Sequence, residues 1–568
     1  MASGGARIRG PRLTCVLRDA HYETRHCSGV NALCASADGA SLFTAGRDAT
    51  VRRWSGACGS SAPPRCAALL EGHTDWVNAL AILRGGGIGA DEAADVPPAL
   101  LSASADRTVR LWRGGGGGGG DDDECVATLA AHSDYTMALA TPAFAGAGPF
   151  FASGGLGGEV ILWDAAAGMR LVAKPATASE DGVLVPGAPA AGSKGSVYSL
   201  AMDGAGSLLV SGSTEQSLRV WDTRTRQKQF KLKGHTDNVR AVLVDKAGRL
   251  CLSGSSDKTI RLWDLGQQRC VQTFAVHTDS VWALATDETF GSVYSGGRDK
   301  RLYATDLRSH LTTLLAIETG MVRAVALMDG CGGGGGDAKS LWVATPDSAV
   351  HRWPCAPPAE VSEASIANTP NANAAASATG QSEEAVRRGS WIEVNSSPFA
   401  RSRPSLDLAR APPLWHEPEL RIAGSPALTA HAILEDRRRV LTRNSRGSCQ
   451  LVDVAKGRVV EEYGPIDFAE KLEALAQTNS TPSWFSADTR LGSLSLHLSP
   501  PGCFAAEAYA VDLGFDGSDE VKLNLGEHFV KALLHGWCEG RRRRGEKNSK
   551  KKQQEAGEGE EAEEAEEA

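Results

Sequence analysis

One string of residues returns along this chain at a regular spacing, and it constrains the fold more than any other feature. The run Gly-His-Thr-Asp starts at Gly234, Ser-Gly-Ser-Ser-Asp follows from Ser253, and Ile-Arg-Leu-Trp-Asp follows from Ile260. The same order of residues begins again at His277, which lies 42 residues after His235. A period in the low forties with this content is typical of the four-stranded blades of a β-propeller.

Each repeat carries four side chains at fixed places. A His precedes the first strand, a Ser lies in the second strand, an Asp follows in a tight turn, and a Trp lies in the third strand. The two clearest sets are His73, Ser102, Asp106 and Trp112, and His235, Ser253, Asp257 and Trp263. A buried Asp needs hydrogen-bond donors, and imidazole, hydroxyl and indole groups can form one connected network around it. We therefore interpret these sets as structural, although their composition is that of a catalytic triad.

The number of repeats follows from the turn residue that lies six positions before the Trp position. This residue is an acid in six units and a glycine, Gly157, in another; the acids are Asp48, Asp106, Glu215, Asp257, Asp299 and Asp347. These seven units lie between Val30 and Trp353, and a weaker eighth pattern occupies residues 430–453. The sequence predicts an all-β WD40 β-propeller with eight blades, and seven blades is the alternative.

Composition divides the chain into five regions. We predict blades one to seven over 12–353, a disordered low-complexity insertion over 354–414, an eighth blade and the start of an ancillary region over 415–500, an ancillary segment over 501–540, and a disordered basic-then-acidic tail over 541–568. The ancillary part is predicted to be a small α/β segment. Asp467 should cap a helix, 484–498 alternates like strands, and 524–537 has the spacing of an amphipathic helix with Leu525 and Phe529 on one side.

Composition also limits the classes of function. The chain has 568 residues and a net charge of −8, without a broad basic stripe, so direct nucleic-acid binding is not expected. A run of about 18 apolar residues is missing, and the basic, Gly-rich residues 1–11 do not form a secretory signal, so we expect no membrane span and no secretion. The 13 cysteines show no metal-binding spacing, which favours free thiols and predicts neither a metal site nor a cofactor. The basic block at 541–552 is either a nuclear import signal or a solvated tail.

Several strings go beyond the general repeat and resemble the WD repeat-containing protein 48 family, the WD-repeat cofactors of ubiquitin-specific proteases. They lie at 31–33, 42–48, 73–78, 232–239, 265–270, 294–299, 484–486 and 524–526, and the resemblance covers about 12–353 and 415–538. It implies a non-catalytic protein that binds and activates ubiquitin-specific cysteine proteases in DNA-damage repair, in the nucleus and cytoplasm, with ubiquitin as a further candidate partner. The family's chain continues into ubiquitin-like domains that recruit substrates. This sequence has a charged tail there, so the resemblance does not extend to substrate recruitment.

The candidate partner site lies where propellers present side chains on one face. One position directly follows the first-strand Val and is occupied by Asn31, Asn78, Met137, Tyr198, Arg240, Trp282 and Arg323; the other precedes the turn acid and includes Arg47 and Arg298. Trp and Arg contribute most to interface energies. We predict that Arg240, Trp282 and Arg298 form one partner-binding patch, and the resemblance places them on family positions that contact the protease's fingers region. In the alternative interpretation, Trp282 packs between blades and both arginines are solvated.

Three other functions remain open from the residues. The run Trp221-Asp222-Thr223-Arg224 matches the W-D-x-R box of substrate receptors for cullin-based ubiquitin ligases. A propeller hydrolase would use inward His and Asp side chains for catalysis, but the predicted repeat network already holds these side chains in hydrogen bonds. A pure assembly scaffold would bind partners without changing a protease's turnover.

Overall fold

The repeats of the sequence form four-stranded antiparallel sheets. The computed structural model describes residues 13–17, 22–36, 39–57, 63–83, 99–113, 124–144, 150–165, 170–171, 195–287, 289–328, 339–355, 412–454, 457–475, 484–498, 500–504, 507–509, 522–527 and 529–531. The chain divides into two compact units. The first unit is Ala20–Ser425, and the second unit combines Met1–Asp19 with Pro426–Ala568. Strand β1 (Leu13–Leu17) belongs to the second unit.

Seven sheets make up the described part of the first unit, and in each sheet every strand pairs with the next one along the chain. Sheets one to four consist of β2 (Val30–Ala35), β3 (Ser41–Gly46), β4 (Val51–Ser55) and β5 (Arg65–Leu70); β6 (Val77–Leu83), β7 (Ala99–Ser104), β8 (Val109–Arg113) and β9 (Glu124–Leu129); β10 (Thr136–Ala140), β11 (Phe150–Gly155), β12 (Val160–Asp164) and β13 (Arg170–Leu171); and β14 (Val197–Met202), β15 (Leu208–Ser213), β16 (Ser217–Asp222) and β17 (Gln227–Lys233).

Sheets five to seven follow the same order. They consist of β18 (Val239–Val244), β19 (Leu250–Ser255), β20 (Ile260–Asp264) and β21 (Arg269–Phe274); β22 (Val281–Thr286), β23 (Ser292–Gly297), β24 (Arg301–Asp306) and β25 (Thr312–Ile317); and β26 (Ala324–Met328), β27 (Ser340–Ala344), β28 (Val350–Pro354) and β29 (Leu420–Ile422). The predicted all-β fold of repeated four-stranded antiparallel sheets is confirmed.

The seven sheets of the first unit follow one another in a closed order. Each first strand contacts the first strand of the next sheet, from β2 through β6, β10, β14, β18 and β22 to β26, and β26 contacts β2 again. The core between sheets seven and one is shared, since Val30 and Trp54 cluster with Trp342 and Val350. The first strands are therefore the innermost strands of a ring. Within the first unit this closed order contains seven sheets; the number of blades in the propeller stays a prediction.

The seventh sheet takes its fourth strand from beyond the low-complexity insertion. Strand β29 pairs antiparallel with β28, and Val350 lies opposite Ile422. The side chain of Ile422 is buried in the core shared by sheets one and seven. Residues up to 425 therefore belong to the first unit, beyond the position of 415 at which the sequence analysis begins the next region. Most of the predicted insertion, 356–411, lies outside the described residues.

The second unit contains the predicted eighth repeat and the ancillary elements. The repeat forms a sheet of β30 (Leu428–Ile433), β31 (Arg439–Asn444), β32 (Ser448–Asp453) and β33 (Arg458–Pro465). A second sheet has the order β1, β35 (Leu494–Leu498), β34 (Phe485–Asp488), and β36 (Glu507–Tyr509) pairs with β37 (Lys522–Asn524). The helices are α1 (Phe468–Ala474) and α2 (Pro500–Cys503).

The ancillary predictions hold where the structure describes them. The Asp467 side chain accepts from the backbone N–H groups of Ala469 and Glu470, so it caps α1 as expected. Asn524 accepts from the N–H of Glu527 at 2.9 Å, and residues 525–527 and 529–531 are helical. The rest of the predicted helix and the charged tail from 541 lie outside the described residues.

Candidate protein-binding surface

The predicted repeat networks form with nearly identical geometry. In sheet five, His235 Nδ1 lies 2.7 Å from Asp257 Oδ2, His235 Nε2 lies 2.7 Å from Ser253 Oγ, and Trp263 Nε1 donates to Ser253 Oγ at 2.8 Å. The set His73, Ser102, Asp106 and Trp112 repeats these three contacts, each at 2.8 Å. One assignment of protons satisfies every group: imidazole Nδ1–H donates to the carboxylate, and the hydroxyl donates to Nε2 while it accepts from the indole.

The charges of these networks are fixed by their surroundings. Burial by itself raises the pKa of Asp106. Hydrogen bonds from His73, Thr108 and Thr74 lower it by more than burial raises it, so the carboxyl pKa falls below its usual range. Burial lowers the pKa of His73 despite its contact with Asp106. At neutral pH the pair is therefore an ionised Asp and a neutral His. Because Ser102 and Ser253 are both 0% exposed, a substrate cannot reach either hydroxyl, and the sets are structural.

Sheet three keeps the network although the turn acid is replaced by Gly157. His132 Nδ1 lies 3.1 Å from Glu159 Oε2, and both His132 Nε2 and Trp163 Nε1 lie 2.7 Å from Ser153 Oγ. The acid therefore comes from two residues later in the same turn. The longer Glu side chain covers the extra distance. An acid two residues after Gly157 was the sequence signal from which this replacement could have been predicted.

Sheet seven takes its acid from a different loop. His351 Nδ1 lies 2.9 Å from Glu318 Oε2, and Trp353 Nε1 donates to Glu318 Oε1 at 2.6 Å. Glu318 is buried, whereas Asp347 is exposed. The prediction of Asp347 as the network acid is therefore wrong. In this sheet the His lies in the third strand, so the acid reaches it from the preceding connection.

A β-bulge marks the start of the innermost strand in six of the seven described sheets. The strand pairing shifts by one residue between Val30 and Ala32, and the same shift recurs in sheets two to six. A bulge leaves one residue out of the ladder and redirects its side chain. The bulged residues are Asn31, Asn78, Met137, Tyr198, Arg240 and Trp282, and in sheet seven Arg323 directly precedes the regularly paired β26. We call these seven residues the bulge ring; all are half-buried.

The bulge ring is connected from sheet to sheet. The side-chain amide of Asn31 donates to the Val77 carbonyl at 3.1 Å, and that of Asn78 donates to the Thr136 carbonyl at 3.0 Å. On the other side of the ring, the guanidinium carbon of Arg240 lies 4.0 Å from the Tyr198 ring centroid. Each of these contacts spans two neighbouring sheets, so bulge-ring side chains link sheet one to sheet two, sheet two to sheet three, and sheet four to sheet five.

The three predicted partner-binding residues lie on adjacent sheets but have different neighbours. Arg240 lies over Tyr198 of sheet four, and its Nε donates to Ser256 Oγ at 3.3 Å. Trp282 lies under Arg323 of sheet seven, with 5.3 Å between guanidinium carbon and ring centroid. The side chain of Arg298 is 62% exposed, and its Nε is 3.6 Å from Asp279 Oδ2. That the three residues form a single patch stays a prediction. Tyr198 contacts Arg240 and Arg323 contacts Trp282, and the sequence analysis did not include Tyr198 or Arg323 in the patch.

Three of the four residues of the W-D-x-R run, Trp221, Asp222 and Thr223, are buried or hydrogen-bonded within the first unit. The Trp221 and Thr223 side chains are buried, and Asp222 accepts from the backbone N–H groups of Arg224 and Thr225 at 2.9 and 3.1 Å. Arg224 is the exposed member of the run.

Within the described ranges, the structure holds no group of three or more His, Cys, Asp or Glu side chains placed to bind a metal ion. The helices in this part of the chain are also too short or too polar to cross a bilayer.

Comparison with protein families identifies the repeats. Six segments match the WD40 family model, described as WD domain, G-beta repeat, at residues 20–55, 64–113, 123–164, 190–222, 226–264 and 268–304. The chain is a WD-repeat protein. The matched segments correspond to sheets one to six, and sheet seven extends the same sheet pattern with Glu318 in place of the turn acid. WD repeats indicate a scaffold that binds other proteins, which agrees with the structural role of the buried networks.

Proposed function

We propose that this WD-repeat protein is a non-catalytic scaffold that binds and activates a ubiquitin-specific protease through Arg240, Trp282 and Arg298. The observation that carries the proposal is the bulge at Trp282, which sets a large aromatic side chain outside the ladder and leaves it half-buried. The sequence resemblance to the WD-repeat cofactors supports the identity of the partner. On the same resemblance, we propose a role in deubiquitination during DNA repair, in the nucleus and cytoplasm.

The composition of the surface suits tight binding by few residues. Trp, Tyr and Arg are the residue types that most often dominate interface energies, and all three occur in the bulge ring. Activation requires that the scaffold bind the active conformation of the protease better than the inactive one. A tenfold activation needs a difference in affinity of only about 1.4 kcal/mol, which a few such side chains are able to supply.

The proposal predicts a loss of affinity when Trp282 is truncated. The full chain would be titrated into purified ubiquitin-specific proteases while cleavage of a ubiquitin reporter is followed. We expect Trp282→Ala to cost about 2 kcal/mol or more of affinity, and Trp282→Ala/Arg298→Asp to abolish activation at concentrations where the wild type saturates.

A matched control is Val271→Ala on β21 of the neighbouring sheet, where the Val271 side chain is 50% exposed and lies outside the bulge ring. Unchanged affinity of Trp282→Ala, with an unchanged melting temperature, would contradict the proposed site. Capture of a cullin-ligase adaptor that is lost in Arg224→Ala would instead support the alternative function of a substrate receptor.

A further inference from the structure

The outermost strand of sheet four is far more basic than the outer strands of the other sheets. Strand β17 contains three exposed lysines, Lys228, Lys231 and Lys233. In the described sheets, every other outer strand contains at most one basic residue. The turn before β17 adds Arg224 and Arg226, and residues 223–236 contain no acid. Positive charge is therefore concentrated along this one edge.

The three lysines are only partly neutralised by neighbouring side chains. Lys231 Nζ lies 3.0 Å from Glu215 Oε2, but the same carboxylate oxygen also pairs with Arg219 at 2.6 Å. Within the described residues, Lys228 and Lys233 form no ion pair. A ligand that carries carboxylates would therefore meet at least two uncompensated positive charges on this strand.

The backbone of β17 is also available along its outer edge. The strand pairs with β16 on one side, regularly from Phe230 to Lys233 and with a one-residue shift at Gln229. In the described part of the chain, no further backbone hydrogen bond reaches β17. In an antiparallel edge strand, every second residue directs its N–H and C=O away from the sheet, and these groups can pair with an added strand.

Sheet six shows that an outer edge of this protein can accept another segment. The backbone N–H groups of Leu414 and Trp415 donate to the carbonyl groups of Leu314 and Leu315 on β25, at 3.0 and 2.8 Å. This segment precedes β29 in the chain. The equivalent edge of sheet four has no such cover among the described residues.

We propose that β17 binds an acidic, extended segment of a partner protein by strand addition. Backbone hydrogen bonds provide the affinity in this mode of binding, and side chains opposite one another provide the specificity. Lysines on an edge strand repel a second copy of the same strand, and they attract a strand that carries carboxylates. The one aromatic residue of β17, Phe230, packs against the core shared with sheet five, so bases have no exposed ring on this strand to stack upon. This favours an acidic peptide over single-stranded RNA.

This edge is separate from the proposed protease site, because β17 is the outermost strand of its sheet and the bulge ring lies on the innermost strands. A fluorescein-labelled peptide of six Glu-Thr repeats would be titrated with the full chain and followed by fluorescence anisotropy. One control peptide has Gln in place of Glu. A second control carries a methyl group on every backbone nitrogen, which keeps the charge and removes the N–H donors. We expect each control to bind at least tenfold more weakly, because each lacks one of the two kinds of contact.

Charge variants of β17 test the assignment to this strand. Lys228→Gln/Lys233→Gln should weaken binding of the Glu-Thr peptide about fivefold or more, because two cross-strand charge pairs are lost. Lys228→Glu/Lys233→Glu should abolish this binding and create binding of a Lys-Thr peptide, since the pairs are restored with opposite sign. Arg269→Gln is the control on β21 of the neighbouring sheet, where Arg269 is exposed, and it should change binding by less than about twofold.

Failure of the Glu-Thr peptide to bind the folded wild type would overturn the inference, and so would unchanged binding by Lys228→Gln/Lys233→Gln with the wild-type melting temperature. Equal binding of the N-methylated peptide would overturn strand addition, because charge alone would then hold the peptide. Tighter binding of a twelve-residue uridine oligonucleotide would overturn the inference in favour of RNA. If the Glu-Thr peptide binds while no protease is activated, the proposed function fails and the acidic-segment site on β17 stands.

Discussion

Single residues decide the charge pattern inside the repeats. Asp106 and Asp257 stay ionised because His and Thr side chains and backbone N–H groups donate to them, and His73 stays neutral because it is buried. The same chemistry recurs at His26, where burial lowers the pKa although Asp48 lies 2.9 Å away. These pairs couple the stability of the first unit to pH.

We expect the free energy of unfolding to fall as the pH is lowered from 7 to 4. The buried His73 and His26 have lowered pKa values, so the unfolded chain gains protons first, from about pH 6.5 downwards. The carboxyl pKa values of Asp106 and Asp257 are also lowered, so their contribution is complete above about pH 4 and is lost below it. Calorimetric melting from pH 7 to well below pH 4 measures both steps.

The variant Asp257→Asn should lose about 1.5–3 kcal/mol at pH 7, because His235 and Thr259 lose their charged acceptor. It should also show a shallower decline below pH 4. Asp347→Asn is the control, since Asp347 is exposed and Glu318 holds the network of its sheet. Equal melting of Asp257→Asn and wild type would show that the network contributes nothing to stability.

At the scale of strands and sheets, the repeat pattern predicted most of what forms. Local residue patterns predicted the four-stranded sheets, the two His–Asp–Ser–Trp sets and the capped helix α1. The bulges were not predicted, because a bulge depends on how two strands pair. Strand β29 was missed since a long insertion separates it from β28, and Glu318 was missed because its loop is distant from the turn in sequence.

An element-scale prediction concerns Trp484, which precedes β34 in the second unit. Its side chain is 1% exposed, stacks edge-on against Phe485 and Phe529, and donates to the Arg437 carbonyl at 2.7 Å. Trp484→Ala should cost about 3–5 kcal/mol through the cavity it leaves. Hydrogen exchange should rise in β30–β35 and stay unchanged in sheets two to six.

The control for this substitution is Val459→Ala on β33, where the side chain is 43% exposed. It should alter exchange and melting very little, because it removes almost no buried surface. Faster exchange spread evenly over both units would contradict a local role for Trp484.

At the scale of the whole molecule, the chain consists of two units, and the first strands of seven sheets contact one another in a closed order within the first unit. The sequence at 430–453 has the alternation of a blade and also forms a four-stranded sheet, which belongs to the second unit, so the number of blades stays a prediction. In the first unit, sheets one and seven pack together at Val30 and Trp342.

Substitution of Gly29 tests whether sheets one and seven pack closely against each other. A Cβ at this position would lie 2.4 Å from the Pro346 carbonyl oxygen, so sheets one and seven would have to move apart. Gly29→Ala should therefore lower stability by about 1–3 kcal/mol, as overpacking does, and thermal melting measures the loss.

Gly266→Ala is the matched control, because the nearest atom to its Cβ would be an Asp264 side-chain oxygen at 3.4 Å, an ordinary contact. Its melting temperature should stay close to that of the wild type. If Gly29→Ala melts like Gly266→Ala, the two sheets do not close the ring at this point.

The bulges have a consequence for how such a protein diverges. A bulged residue has no partner across the strand pair, so replacing its side chain leaves the backbone pairing of the innermost strands intact. Six of the seven bulge-ring positions are thereby free of cross-strand pairing, while Asn31 and Asn78 still donate to carbonyl groups of the neighbouring sheets. Related copies of a gene for this chain are therefore able to acquire new binding partners by single substitutions in the bulge ring, while they keep the same strand pairing.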